Sequence, residues 1–267
     1  MVSTIIPFEG VMNIRDLGGM KTKDGRVIKP GMLFRGSRLI DATEKDKEQI
    51  AKSVDLIVDF RSEQEIIEQP DPDLEGVTNI HIPILDTMAR GVSREKKTDE
   101  AATRGPSFAT VEDAIASMSR VYARFVESDF SRSQYAAFMR HVIDGGYEKV
   151  MWHCIAGKDR TGFAAFLFQK MFDIDDESIM EDYVLTNQYI KEDVDRIKDG
   201  IRKREGSLTD EQERALTSLF GAEEAYLKTS IAKIEELYGD FHNYLVEGLR
   251  VTDEEQEMLK ERYLTKA

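Results

Sequence analysis

The chain has 267 residues, 41% hydrophobic and 33% charged, which is ordinary for a globular protein and long enough to bury a sizeable core. Its net charge of −14 argues against binding to nucleic acid or anionic membrane surfaces, and no apolar run approaches a membrane span. One cysteine cannot form an internal disulfide, and the N-terminus lacks the basic start and long apolar core of a standard secretory signal, so the expected setting is the reducing cytoplasm, leaderless export aside.

In chain order, Asn13 to Gly19 ends on a Gly-Gly pair suited to a tight turn, with Arg15 and Asp16 placed to hydrogen-bond it. Arg26 to Arg35 holds short β-prone runs split by the turn signal Lys29-Pro30-Gly31. Thr43 to Ser53 reads as a helix in which Thr43 and Asp46 form a capping box. Val54 to Val58 is a buried-strand candidate ending at Asp59. Ser62 to Gln69 repeats the cap pattern with Glu65, and Pro70 stops it. Val77 to Ile82 is the next apolar strand. Residues 86–110 are polar, aperiodic and broken by Gly and Pro, which predicts a surface insertion of the kind that elsewhere forms lids. Ala114 to Val126 and Tyr135 to Ile143 are amphipathic helices, and Glu148 to Trp152 is a strand feeding the apolar helix Phe163 to Phe172. Asp176 to about Lys203 is helical with a break near Gly200, and residues 208–220, 222–238 and 252–263 complete a helical C-terminal third. From Asp173 onward there are 25 acidic and 13 basic residues, so nearly all the charge imbalance lies there, read as solvated helix faces rather than a docking surface. Tyr183, Tyr189 and Phe220 in this part are assigned to the core.

Strands alternating with helices predict an α/β fold: a central, mostly parallel sheet flanked by helices, with a helical C-terminal extension. The expected organisation is one domain over 1–267, with a catalytic core at 1–175 that carries the insertion 86–110, and the extension at 176–267 packed upon it. Chemistry in such sheets sits beyond the carboxyl ends of the strands, where Asp59 and Cys154 both fall.

The most informative run is His153-Cys154-Ile155-Ala156-Gly157-Lys158-Asp159-Arg160-Thr161-Gly162, which holds the only cysteine. A tight loop between strand and helix points backbone N–H groups inward, and the helix start adds partial positive charge. Such a cup suits a phosphate dianion, and Arg160 can clamp two of its oxygens. The same field favours a thiolate over a thiol.

His-Cys, five residues, Arg and Thr resembles the cysteine-dependent protein-tyrosine phosphatase superfamily. The form Gly157-Lys158-Asp159-Arg160-Thr161-Gly162 is similar to that of bacterial tyrosine and phosphoinositide phosphatases of the lipid-phosphatase A type. Asn13-Ile14-Arg15-Asp16-Leu17-Gly18-Gly19 with Leu33-Phe34-Arg35, and Asp59-Phe60-Arg61-Ser62 with Glu65, resemble two further stretches of that family. Residues beyond about 175 carry no such motif.

The resemblance implies a tyrosine-phosphatase-like fold and hydrolysis of phosphomonoesters, first of all phosphotyrosine in proteins, with dual-specificity and phosphoinositide phosphatases as neighbouring readings. Cys154 would be the nucleophile, Arg160 with the loop N–H groups of Ile155, Ala156, Gly157 and Lys158 would bind the phosphoryl oxygens, and Thr161 would ease thiolate departure. His153 is assigned to holding loop geometry. Since there is no Trp-Pro-Asp loop, the family pattern gives the general acid to Asp159, with Asp59 second and Asp86 third. Arg61 would hold Asp59 or the loop. Lys158 is either a second cation for a neighbouring phosphate, as in relatives that accept phosphoinositides, or a solvent-facing charge. No cofactor is called for, and the four histidines show no metal-ligand spacing. The competing classes are a sulfurtransferase and a non-catalytic phosphate-binding module. The Arg160-Thr161-Gly162 ending argues against the first, and the intact Cys154 and Arg160 against the second.

Overall fold

The strands form one six-stranded sheet of order β1-β2-β3-β6-β4-β5. The strands are β1 Thr4–Ile5, β2 Arg15–Asp16, β3 Leu33–Gly36, β4 Leu56–Asp59, β5 Thr78–His81 and β6 Val150–His153. This is a computed structural model, and it describes residues 2–86 and 110–266. The insertion expected at 86–110, with any lid it forms, therefore falls outside the described residues except for its two end positions.

Strands β3, β6, β4 and β5 run parallel, while β1 and β2 add an antiparallel edge. The side-chain period of two sends Leu56, Val58, Val150 and Trp152 into the larger core and Ile57 and Met151 into the smaller one on the other face. The fold is thus α/β with a mostly parallel sheet, as expected. Strand β5 differs from its apolar reading: Thr78, Asn79 and His81 are exposed, because it is the sheet edge.

Helices α1 Glu44–Ser53 and α2 Glu63–Glu68 both start with the predicted capping boxes, Thr43 with Asp46 and Ser62 with Glu65. Ile50 of α1 packs in the smaller core. The other face is covered by α3 Val111–Glu127, α4 Asp129–Asp144 and α5 Asp159–Met171. Their aromatic rings interlock: Trp152 lies 5.6 Å from Phe138 and 5.4 Å from Phe168, and Phe125 lies 5.5 Å from Phe163.

The C-terminal part forms α6 Asp176–Tyr189, α7 Lys191–Glu205, α8 Asp210–Phe220, α9 Glu224–Tyr238, the short α10 Phe241–Asn243 and α11 Asp253–Tyr263. The break between α6 and α7 falls at Ile190, not near Gly200. Ile190 is buried and anchors the corner, whereas Gly200 sits inside α7 with open space beside it, where a glycine costs a helix only about 1 kcal/mol. These helices pack on the rest of the chain. Tyr226 of α9 approaches Tyr122 of α3 at 5.6 Å, and Ser230 donates to the Tyr122 carbonyl at 2.7 Å. After α11 the chain returns to the start, with Leu264 bridging Ile28 and Lys29 donating to the Tyr263 carbonyl at 2.8 Å. Among the described residues, no helix is long and apolar enough to cross a membrane.

Candidate active site

The parallel register sets Asp59 and Gly36 on either side of His153 at the carboxyl ends of three strands. Residues 154–158 then lead directly into α5, giving the strand–loop–helix arrangement expected from the sequence.

The loop's carbonyls are tied to its frame. Arg38 N–H donates to the Ile155 carbonyl at 3.1 Å, and the Asn13 amide donates to the Ala156 and Gly157 carbonyls at 2.9 and 3.2 Å. Arg35 adds a second bond to Gly157 at 3.0 Å, and Tyr135 donates to the Arg160 carbonyl at 3.0 Å. With the carbonyls held by the frame, the N–H groups of residues 155–158 donate to no acceptor among the described residues. Gly157 is required here: its φ is +67°, and a Cβ would lie 2.4 Å from the Gly36 carbonyl oxygen.

Cys154 is buried at the base of this loop. Arg160 makes a two-point bond to Glu65, Nη1 to Oε2 at 2.6 Å and Nη2 to Oε1 at 3.1 Å. Burial pulls the guanidinium down, but the Glu65 carboxylate and the Cys154 sulfur outweigh it and hold Arg160 above its ordinary value. Burial pushes the Glu65 carboxyl up, and Arg160 reverses this and leaves it below the usual range. Arg160 Nε and Thr161 Oγ1 are buried and have no partner among the described residues. An oxyanion would supply one.

Asp159, in the first turn of α5, accepts from the Tyr122 hydroxyl on Oδ1 at 2.9 Å; Lys158 Nζ lies 3.4 Å from the same oxygen. The Tyr122 hydroxyl is in turn 2.7 Å from that of Tyr183. Lys158 is neither solvent-facing nor free. Its ammonium is buried and donates to the Leu219 and Gly221 carbonyls at 3.1 and 2.8 Å, at the end of α8.

Asp59 is engaged at both oxygens by Arg61, with side-chain distances of 2.7 to 2.9 Å, and it also accepts from the Arg61 N–H. Burial pushes the Asp59 carboxyl up, but His153 and Arg61 bring it below the usual range. Arg61 reaches on to Asp71 at 2.6 Å, and His153 Nε2 lies 3.3 Å from Asp71. Asp59, Asp71 and His153 bring ligand-type atoms within 4.8 Å of one another, but Arg61 already supplies the cation between the two carboxylates. Asp86, the third acid candidate, lies 3.7 Å from Arg124.

Several supporting residues escape a sequence reading. Asp182 of α6 is fully buried and accepts from Arg15, Arg35, Gln169 and Ser3. Burial raises its carboxyl, but Arg15 and Arg35 outweigh this and bring it down to about 2. Arg15 moves the other way, to about 10, through burial and the neighbouring Arg35 charge, since two guanidinium groups share one carboxylate. Arg15 therefore does not brace the Gly18-Gly19 turn. Asp16 does so alone, accepting from Gly18 at 2.7 Å and Gly31 at 2.6 Å. The available signal for Asp182 is its place on the stripe Ile179, Asp182, Tyr183, Thr186, which is the buried face of α6.

The model of the tyrosine phosphatase family matches residues 6–265. A Cupriavidus necator protein provisionally named a tyrosine-protein phosphatase is 28% identical over 248 residues, covering 92% of this chain and 84% of the relative. The triple specificity protein phosphatase PtpB of Mycobacterium tuberculosis is 23% identical over 256 residues, covering 88% and 91%.

Proposed function

Because the chain belongs to the tyrosine phosphatase family, we propose that it hydrolyses phosphotyrosine in proteins through a cysteinyl-phosphate intermediate. The observation that carries this reading is the pair of buried atoms, Arg160 Nε and Thr161 Oγ1, with no partner among the described residues, at the end of a loop that follows Cys154 and whose N–H groups are undonated.

In the first step the Cys154 thiolate attacks phosphorus as the bond to the leaving oxygen breaks, and Asp159 gives that oxygen a proton. The loop N–H groups and Arg160 hold the equatorial oxygens while charge redistributes among them. In the second step Asp159 takes a proton from water, the water oxygen attacks phosphorus, and the thiolate departs with the Thr161 hydroxyl at hand to donate to it. Inorganic phosphate is released. Asp159 is preferred as the acid because Asp59 is saturated by Arg61. The name of the mycobacterial relative favours a wider substrate range than phosphotyrosine. The commitment of the Lys158 ammonium to α8 carbonyls gives no support to its use as a second phosphate clamp.

Cys154→Ser is expected to abolish turnover of a phosphotyrosine peptide while orthovanadate still binds. Retained turnover would refute the covalent mechanism. Among Asp159→Asn, Asp59→Asn and Asp86→Asn, the first should lose about a hundredfold or more in kcat, the scale of general acid catalysis. Normal turnover by Asp159→Asn with loss in either of the others would overturn the assignment. On a panel of phosphotyrosine, phosphoserine and phosphoinositide substrates, Lys158→Ala should lower activity on all by a similar factor. A loss confined to phosphoinositides would restore Lys158 as a phosphate ligand.

A further inference from the structure

The two buried phenols on Asp159 have no part in the reaction as written so far. Tyr122 and Tyr183 come from α3 and α6, and both are almost wholly buried. Their hydroxyls form a chain that ends on one carboxylate oxygen, Asp159 Oδ1, and the Lys158 ammonium faces that same oxygen. No donor among the described residues reaches Oδ2.

This asymmetry has a chemical consequence. A phenol carries one proton, so when Tyr122 donates to Oδ1 its oxygen must accept from Tyr183. Burial, followed by the Asp159 charge, pushes both phenols well above their ordinary range, so they stay neutral donors wherever the protein is folded. An oxygen that accepts from a phenol and faces an ammonium is a poor seat for a proton, and the other oxygen is the better one. We infer that Tyr122, backed by Tyr183, is a positioning residue that confines the exchangeable proton of Asp159 to Oδ2 and fixes the carboxyl plane toward the leaving group.

The inference rests on Asp159 being the general acid. It assigns the two tyrosines a role that neither the loop motif nor the family match carries. Without the Tyr122 hydroxyl the carboxyl can rotate and place its proton on either oxygen, so the first step should suffer in proportion to the leaving group's need for a proton, while breakdown of the cysteinyl phosphate is common to all substrates. The sensitive quantity is therefore the dependence of kcat/KM on the leaving group, since kcat/KM reports the step in which that group departs. A leaving group that departs readily as an anion needs no proton, whereas an alkyl or unsubstituted aryl oxygen does.

The test compares p-nitrophenyl phosphate with phenyl phosphate for wild type, Tyr122→Phe, Tyr183→Phe and Asp159→Asn. Each preparation is scored by the ratio of the two kcat/KM values, so any loss of folded protein cancels. Tyr122→Phe should lower the phenyl phosphate kcat/KM about tenfold relative to that of p-nitrophenyl phosphate, a fraction of the full acid contribution. Tyr183→Phe should shift the ratio the same way by less, and Asp159→Asn by more. If Asp159→Asn shifts the ratio and Tyr122→Phe does not, the tyrosine proposal alone falls. If Asp159→Asn leaves the ratio unmoved, the acid assignment fails and takes the tyrosine role with it.

Discussion

Glu65 places two demands on one carboxylate. It closes the cap of α2 by accepting from the Ser62 N–H at 2.7 Å, and it holds Arg160 through both oxygens. Among the described residues Arg160 is left with Nε unpartnered, and the partnership fixes the plane of the guanidinium before any ligand arrives. Glu65→Gln keeps the shape but sets an amide N–H against the guanidinium donors and removes a buried charge. We expect KM for phosphotyrosine peptide to rise roughly tenfold or more, and stability to fall by about 3 kcal/mol, as when one partner of a buried pair is lost. Steady-state kinetics and urea unfolding measure the two effects. An unchanged KM would mean that Arg160 is oriented by the phosphate itself and not by Glu65.

At the scale of elements, α2 is only six residues long, too short to persist without its cap and tertiary contacts. The matching boxes of α1 and α2 provide a paired test. Thr43→Ala and Ser62→Ala each remove one side-chain acceptor from a helix start, a change worth about 1 kcal/mol in either case. Only the second loosens the helix that presents Glu65 to Arg160. Both variants should therefore lose similar stability in thermal unfolding, while Ser62→Ala alone weakens vanadate binding. Equal vanadate affinity in both would detach α2 from the proposed oxyanion site. Elements of this kind were readable because their determinants are local: a cap residue and its partner stand three positions apart, and the loop carries Cys154, Gly157 and Arg160 within one run. What joins the site together was not readable. Asp182 meets Arg15 across 167 positions and Arg35 across 147, and Tyr122 meets Asp159 across 37. No period or motif announces such pairings. The corner at Ile190 was missed for the opposite reason, since glycine is a visible local signal and a buried isoleucine at a turn is not.

For the whole molecule, Asp182 is where separate parts of the chain meet. Ser3 from the N-terminus, Arg15 of β2, Arg35 of β3 and Gln169 of α5 all donate to it from α6. Its charge offsets two buried guanidinium groups, and Arg35 carries the effect on to the Gly157 carbonyl of the loop that follows Cys154. The folded carboxyl titrates at about 2, against an ordinary value of 3.8. Depression of this kind gives stability that is fully present above 3.8 and lost as pH falls through that value toward 2. The difference is worth about 2 kcal/mol, of which about half is lost by pH 3. Asp182→Asn removes the titration and leaves both arginines uncompensated at every pH, so at pH 7 it should cost about 3–5 kcal/mol. The gap between wild type and Asp182→Asn should then narrow between pH 7 and pH 3, because over that range the carboxyl of the unfolded wild-type chain takes up a proton while the folded one stays ionised. Urea unfolding of the two proteins across that range measures the gap directly. A gap that stays constant from pH 7 to pH 3 would show that the carboxylate charge is not what binds these strands and helices together.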